Sequence, residues 1–175
     1  NAHRGGHGKI SIARAFEVSS NIGIARTIVD LYEDKPQEFI DRLARLGVSN
    51  KLDFELLGEA EPWIKNSNDS TWSGVSLPWI SYGYELKMSA LQILALYNAV
   101  ANDGELVKPY LVDRIQRGEQ IVTSKKVEVL KPSICSQNTI SILKDLLVGV
   151  VKNGTAKNIY SKLYSCAGKT GTAKI

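Results

Sequence analysis

Apolar residues recur at helical spacing through the first fifty positions. Ile12, Ala15 and Phe16 share one face of a short segment over 10–18, with Ser11 placed to cap its start. Ser19-Ser20-Asn21 interrupts the pattern; the trio continues a helix poorly and caps a new one well. Ile22, Ala25, Ile28 and Val29 then form a stripe that predicts a helix over 22–32. Pro36 suits the first turn of a third helix, carried by Phe39, Ile40, Leu43 and Leu46 and stopped by Gly47. Between 57 and 84 the periodicity fades, and Gly, Ser, Asn, Asp and Pro are interleaved with Trp63, Trp72 and Trp79. Connections this long inside a domain are usually functional or mobile. The tryptophans are read as fastening this segment to the body; the alternative puts one or two of them on the wall of a cleft.

A capping box, Ser89-Ala90-Leu91-Gln92, opens a helix over 89–102 that ends at Gly104. Val, Ile, Leu and Tyr recur at short spacing over 106–129, which predicts strands turning at Arg117-Gly118-Glu119. Residues 136–152 form another amphipathic helix, closed by Asn153-Gly154. The last segment, 163–173, reads as a strand that carries Gly168-Lys169-Thr170-Gly171-Thr172-Ala173. No repeat at solenoid period is present.

Composition narrows the class. The 175 residues suit one domain, and 43% apolar against 23% charged is ordinary globular chemistry. The longest nearly apolar run, 91–101, falls short of the ~18 residues that a membrane span needs. No charged-then-apolar leader opens the chain, so a soluble chain is expected. Cys135 and Cys166 are too few for a disulfide scaffold and lack metal-ligand spacing, and no metal or other cofactor is expected. Charge is uneven: residues 1–104 carry 10 basic and 13 acidic side chains, residues 105–175 carry 12 and 5. The lysines of the basic part are scattered and no nucleic-acid-binding motif accompanies them. A site for a small anion fits the same charge.

Two short motifs, each with a look-alike, bear on chemistry. Lys169-Thr170-Gly171 arises by chance in roughly one in twenty chains of this composition. At a cleft edge Lys169 offers positive charge, and Thr170 a hydroxyl that can donate to a carboxylate. Gly171 lets a ligand lie against the backbone. An imitator, Lys152-Asn153-Gly154-Thr155-Ala156-Lys157, follows a helix and is read as a helix-ending turn. Ser19-Ser20-Asn21 is an S-x-N match in a helix-to-helix connection, where its side chains can reach a cleft. The other S-x-N, Ser136-Gln137-Asn138, opens a helix, where capping explains it.

Taken in order, these segments resemble the penicillin-binding transpeptidases, most closely the class B enzymes of bacterial cell division. Ser19-Ser20-Asn21-Ile22-Gly23-Ile24-Ala25 is similar to that family's second motif, and Lys169-Thr170-Gly171-Thr172-Ala173 to its third. Tyr82-Gly83-Tyr84-Glu85-Leu86-Lys87-Met88-Ser89-Ala90-Leu91-Gln92, Ala99-Val100-Ala101-Asn102-Asp103-Gly104 and Val107-Lys108-Pro109 continue the likeness. It runs from about Gly8 to the last residue, and the wording around Tyr84-Glu85-Leu86 is similar to division-type enzymes of the Bacteroidetes lineage.

The family's nucleophile lies in an S-x-x-K upstream of S-x-N. Here the only serine before Ser19 is Ser11, three residues before Arg14, and arginine cannot act as a base. Ser141-Ile142-Leu143-Lys144 spells S-x-x-K in the wrong order and is read as part of a helix. Residues 1–175 are therefore expected to be a partial transpeptidase domain, inactive alone, with the nucleophile and the later strands of the sheet elsewhere. The fold class is α+β: a helix-rich partial β-lactamase/transpeptidase-like fold with a small β-hairpin and one C-terminal strand of the main sheet.

The resemblance implies D,D-transpeptidation of peptidoglycan stem peptides through an acyl-serine, with β-lactams as mimics of the substrate. It gives Ser19 a proton relay and Asn21 a hydrogen bond to the substrate amide. Lys169 supplies positive potential, while Thr170, Gly171 and Thr172 line the carboxylate and oxyanion sites. It also implies a membrane-anchored whole protein on the periplasmic face of the bacterial inner membrane, with a divisome glycosyltransferase as partner and no nucleic acid. Two other readings are open: a non-catalytic penicillin-recognising sensor, and a basic helical nucleic-acid binder.

Overall fold

The computed structural model describes residues 6–171. Six α-helices and three two-stranded antiparallel sheets occur among them. The first three helices are α1 (Ile12–Glu17), α2 (Asn21–Tyr32) and α3 (Pro36–Arg45). The strands β1 (Trp63–Ile64) and β2 (Leu86–Lys87) pair around α4 (Ser76–Ile80). Then follow α5 (Ala90–Ala101), β3 (Leu106–Val107), β4 (Arg114–Arg117), β5 (Gln120–Ser124), β6 (Val129–Lys131) and α6 (Gln137–Asn153). A 3-10 turn over Lys157–Ile159 completes the order.

Local capping chemistry sets most of these boundaries. Ser11, Ser20, Ser89 and Ser136 each stand at an N-cap and accept a backbone N–H through the hydroxyl. At α5 both capping-box bonds are made, and Gln92 also reaches the Asn50 carbonyl at 3.1 Å. The β4–β5 hairpin closes through a two-residue loop with Gly118 at φ +61°, a conformation that glycine adopts freely. The hairpin nests inside the β3–β6 pair, as the run of short apolar spacings predicts.

Two packed clusters form the interior. Ala95, Ala99, Val100, Leu106, Ile140 and Leu147 join α5 to α6 and β3. Val150, Val151 and Ala156 form a second cluster at the C-terminal end of α6. Phe16 of α1 packs against both. Cys135 lies against the first and Cys166 against the second, both as free thiols.

Expectation and structure part in two places. The connection over 57–84 contains β1 and α4, which the fading periodicity did not reveal. Pro78 falls in the first turn of α4, where a missing N–H costs nothing, so proline does not break it. Residues 163–171 form no strand: the chain bends over 162–164, and no ladder partner for the residues that follow occurs among the described residues. The Gly168 N–H instead donates to the Leu147 carbonyl on α6 at 3.2 Å.

α1 meets α6 at unusually short range. A Cβ on Gly154 would stand 2.1 Å from the Glu17 carbonyl oxygen, and one on Gly149 would stand 2.6 Å from Glu17 Oε1. Thr155 N–H donates to that same Glu17 carbonyl at 3.1 Å, and Arg14 bridges Glu17 Oε2 and the Asn153 carbonyl at 2.9 and 2.8 Å. Gly154→Ala is therefore expected to destabilise the fold by about 1–3 kcal/mol in urea unfolding. Gly74→Ala, where an added Cβ meets nothing within 4 Å, serves as the control and should stay within about 0.5 kcal/mol of the wild type. Equal midpoints for the two variants would refute the close approach.

Candidate active site

The turn between α1 and α2 gives each residue of Ser19-Ser20-Asn21 a separate task. Ser19 N–H donates to the Phe16 carbonyl at 3.1 Å and Ser20 N–H to the Ala15 carbonyl at 2.8 Å. That pair of bonds ends α1 in a Schellman motif, with Ser19 at the left-handed position, φ +55°. Glycine is the usual occupant there, because a side chain in this region costs about 1–2 kcal/mol. Ser20 then caps α2 by accepting Gly23 N–H at 3.2 Å, and Asn21 is the first helical residue.

Lys169 arrives from the other end of the chain. Its Nζ donates to Ser19 Oγ at 2.6 Å and to the Thr170 carbonyl at 2.9 Å, and it stands 5.8 Å from the centre of the Phe16 ring. Burial against these groups lowers the Lys169 pKa from the ordinary lysine value, since desolvation disfavours the ammonium. The Thr170 and Thr155 hydroxyls share a hydrogen bond at 2.7 Å.

Ser19, Asn21, Lys169, Thr170 and Gly171 all line one cavity of about 510 Å³. Thr172 lies outside the described residues. Tyr82 and Tyr84 line the same cavity, with Ser81 beside them. None of the tryptophans does; Trp79 packs against Tyr84 from behind, with ring centres 6.1 Å apart. The Tyr82 and Tyr84 rings meet edge to face at 5.6 Å.

The competing motifs lie elsewhere. Ser141 is exposed on α6, and Lys144 pairs with Asp103 at 2.6 Å. Ser11 caps α1 and Arg14 is engaged by Glu17. No group of three or more His, Cys, Asp or Glu side chains that could hold a metal occurs among the described residues. No helix among them is long and apolar enough to cross a membrane.

Sequence reasoning misses four contributors. Thr155 follows the Asn153-Gly154 end of α6, as the reading of the imitator motif expects, and its hydroxyl also reaches Thr170. Phe16 counted only as a core residue, yet its ring flanks the Lys169 ammonium. Tyr82 and Tyr84 were noted in the segment leading to α5 but not as a wall. The combination is an ammonium beside two hydroxyl-bearing residues in a cleft, able to bind an anion and to pass a proton between Lys169 and Ser19.

The family model for the penicillin-binding protein transpeptidase domain matches residues 1–175. The chain belongs to that family. A curated peptidoglycan D,D-transpeptidase FtsI homolog of Mesostigma viride is 27% identical over 181 residues, covering 94% of this chain and 29% of that protein. The D,D-transpeptidase domain of a peptidoglycan glycosyltransferase from Eggerthella lenta superposes with TM-score 0.83 at 27% identity, over 97% of this chain and 43% of the other. Penicillin-binding protein 3 of Mycobacterium tuberculosis, solved with aztreonam, shares the fold at TM-score 0.64 and 24% identity, over 79% of this chain and 30% of that one. The chain spans between 24% and 29% of the length of the first curated relatives it matches. Homology and superposition thus bear out the fold class expected from the motif order.

The positive φ of Ser19 makes a separable prediction. Ser19→Gly and Ser19→Ala both delete the hydroxyl, but only alanine keeps a side chain in the left-handed region. Chemical denaturation should find the glycine variant about 1 kcal/mol more stable than the alanine variant. Alanine equal to or above glycine would exclude this conformation.

Proposed function

We propose that residues 1–175 form the S-x-N to K-T-G part of a peptidoglycan D,D-transpeptidase of the class B, division type. The observation that carries the reading is the Lys169–Ser19 hydrogen bond of 2.6 Å inside a cavity that Thr170 and Gly171 also line. In the reaction, a serine outside these residues attacks the penultimate D-Ala carbonyl of a stem peptide. D-Ala leaves as the amine, and an acyl-serine remains. An amine from a neighbouring stem peptide then takes the acyl group and regenerates the serine.

Ser19 passes the proton towards the leaving amine, a general acid–base role that its contact with Lys169 supports. Asn21 hydrogen-bonds the substrate amide and orients the catalytic lysine of the missing motif. Lys169 supplies positive potential for the substrate's terminal carboxylate, which Thr170 and Thr172 bind as hydroxyl donors. The Thr172 N–H gives one half of the oxyanion hole, and the attacking serine's N–H the other. β-Lactams occupy the same cleft as acylating mimics of D-Ala-D-Ala. The whole protein acts at the periplasmic face of the inner membrane, anchored there and paired with a glycosyltransferase of the divisome.

Labelled penicillin tests this. The whole protein that carries this chain should form a stable covalent adduct, and Lys169→Ala should slow its formation by about 10²–10³-fold. The 175 residues alone should form none. An adduct on Ser141 or Ser19 would refute the missing nucleophile, and failure of the whole protein to react would refute the reading.

A further inference from the structure

The tyrosine wall of the cavity is held by a charged pair that no motif signals. Lys65 is 5% exposed, rare for a lysine, which is seldom buried without a partner. Its Nζ donates to Glu85 Oε1 at 2.7 Å and to the Thr71 carbonyl at 2.7 Å. Its backbone N–H donates to the Glu85 carbonyl at 3.1 Å, which continues the β1–β2 register by one step. Lys65 therefore grips the same residue twice, once through the main chain and once through the side chain.

Glu85 is itself strained. It takes φ +53°, two residues after Gly83 at φ +105°. A glutamate in the left-handed region persists only when its surroundings over-determine it. The residues immediately before it are Tyr82-Gly83-Tyr84, and Tyr84 N–H is tied back to the Trp79 carbonyl at 3.0 Å. Burial alone would push the Glu85 carboxyl up, but the hydrogen bond and charge of Lys65, together with the Ser76 hydroxyl, outweigh it and hold the group below its ordinary value. The carboxylate is thus charged and committed to Lys65 at neutral pH.

The geometry points to Lys65 and Glu85 as positioning residues: their two-point clamp fixes the Tyr82-Gly83-Tyr84 turn and so sets the part of the lining that the tyrosines give to the cavity of Ser19 and Lys169. Neither side chain is among the residues lining the cavity, so they act through the tyrosines. The enzymatic consequence rests on the transpeptidase reading; the conformational one does not.

The test uses the whole protein with Glu85→Gln, Lys65→Met and the double variant Lys65→Met/Glu85→Leu. Removing one partner strands a buried charge or an unmatched polar group, whereas removing both leaves an apolar pair, which is often tolerated. Each single variant should lower the urea midpoint, and the double variant should regain it. Fluorine NMR of fluorotyrosine placed at positions 82 and 84 should nonetheless show shifted or broadened lines in all three. The second-order acylation constant with labelled penicillin should fall about tenfold in the double variant, the scale expected of a sub-ångström misplacement.

A double variant with restored stability, unchanged fluorotyrosine lines and wild-type acylation would overturn the proposal, because the pair would then be structural only. Failure of the double variant to regain its midpoint, with fluorotyrosine lines unchanged in Glu85→Gln, would overturn it equally. Altered lines in a protein whose wild type takes no penicillin would uphold the clamp and refute the transpeptidase reading.

Discussion

The packing of the last turn of α1 on the C-terminal end of α6 is the constraint on which the site depends. The Glu17 backbone can lie there because Gly154 stands where any side chain would collide with the Glu17 carbonyl, whereas at Gly149 an added Cβ would meet only the movable Glu17 side chain. The carbonyl of Glu17 then accepts from Thr155, which fixes the direction in which α1 ends. Two residues later the chain reaches Ser19, whose left-handed backbone turns its hydroxyl towards the strand-like segment that bears Lys169. The same end of α6 receives that segment through Leu147 and Thr155. One helix end thus backs both motifs, though they lie 150 residues apart in sequence.

Electrostatics at the site follows from this packing. Lys169 is partly desolvated against Phe16, and among the described residues its ammonium is answered by a hydroxyl and a carbonyl. A carboxylate partner would neutralise the charge and occupy the place of an anionic ligand. Dipolar partners instead hold the lysine in place and leave its net charge available to the cleft. The segment over 81–84 is arranged otherwise: Lys65 and Glu85 are paired and do not line the cavity, and Ser81, Tyr82 and Tyr84 do. The cavity therefore has a cationic group at Lys169, while the 81–84 segment contributes uncharged side chains to its lining.

What the sequence made legible was local. The serine caps, the capping box at Ser89, the hairpin turn at Gly118 and the spacing of apolar positions in α2, α3, α5 and α6 are encoded within a few residues, and the structure follows them closely. The motif trio over 19–21 was recognised as a break between helices; that Ser19 itself takes the glycine position of a Schellman turn was not, because nothing in a serine announces a positive φ. Residues 163–171 read as a strand because their composition suits one, but ladder pairing is a non-local property. Lys65 and Glu85 look like any solvated charges in a polar stretch. Only the fold shows that twenty residues apart in sequence they meet in the interior. Thr155 is hidden for the opposite reason: its segment already has a local role just past the end of α6, and its contact with Thr170 is non-local.

The account stands or falls on direct coupling between the α1–α2 turn and the lysine of the third motif. A double-mutant cycle on Ser19→Ala and Lys169→Met, measured by denaturant unfolding of the whole protein, isolates that term. A hydrogen bond from an ammonium to a hydroxyl at 2.6 Å predicts a coupling free energy of about 1–3 kcal/mol. Additive effects, with coupling below about 0.3 kcal/mol, would mean that Ser19 and Lys169 do not meet, and the site described here would not exist.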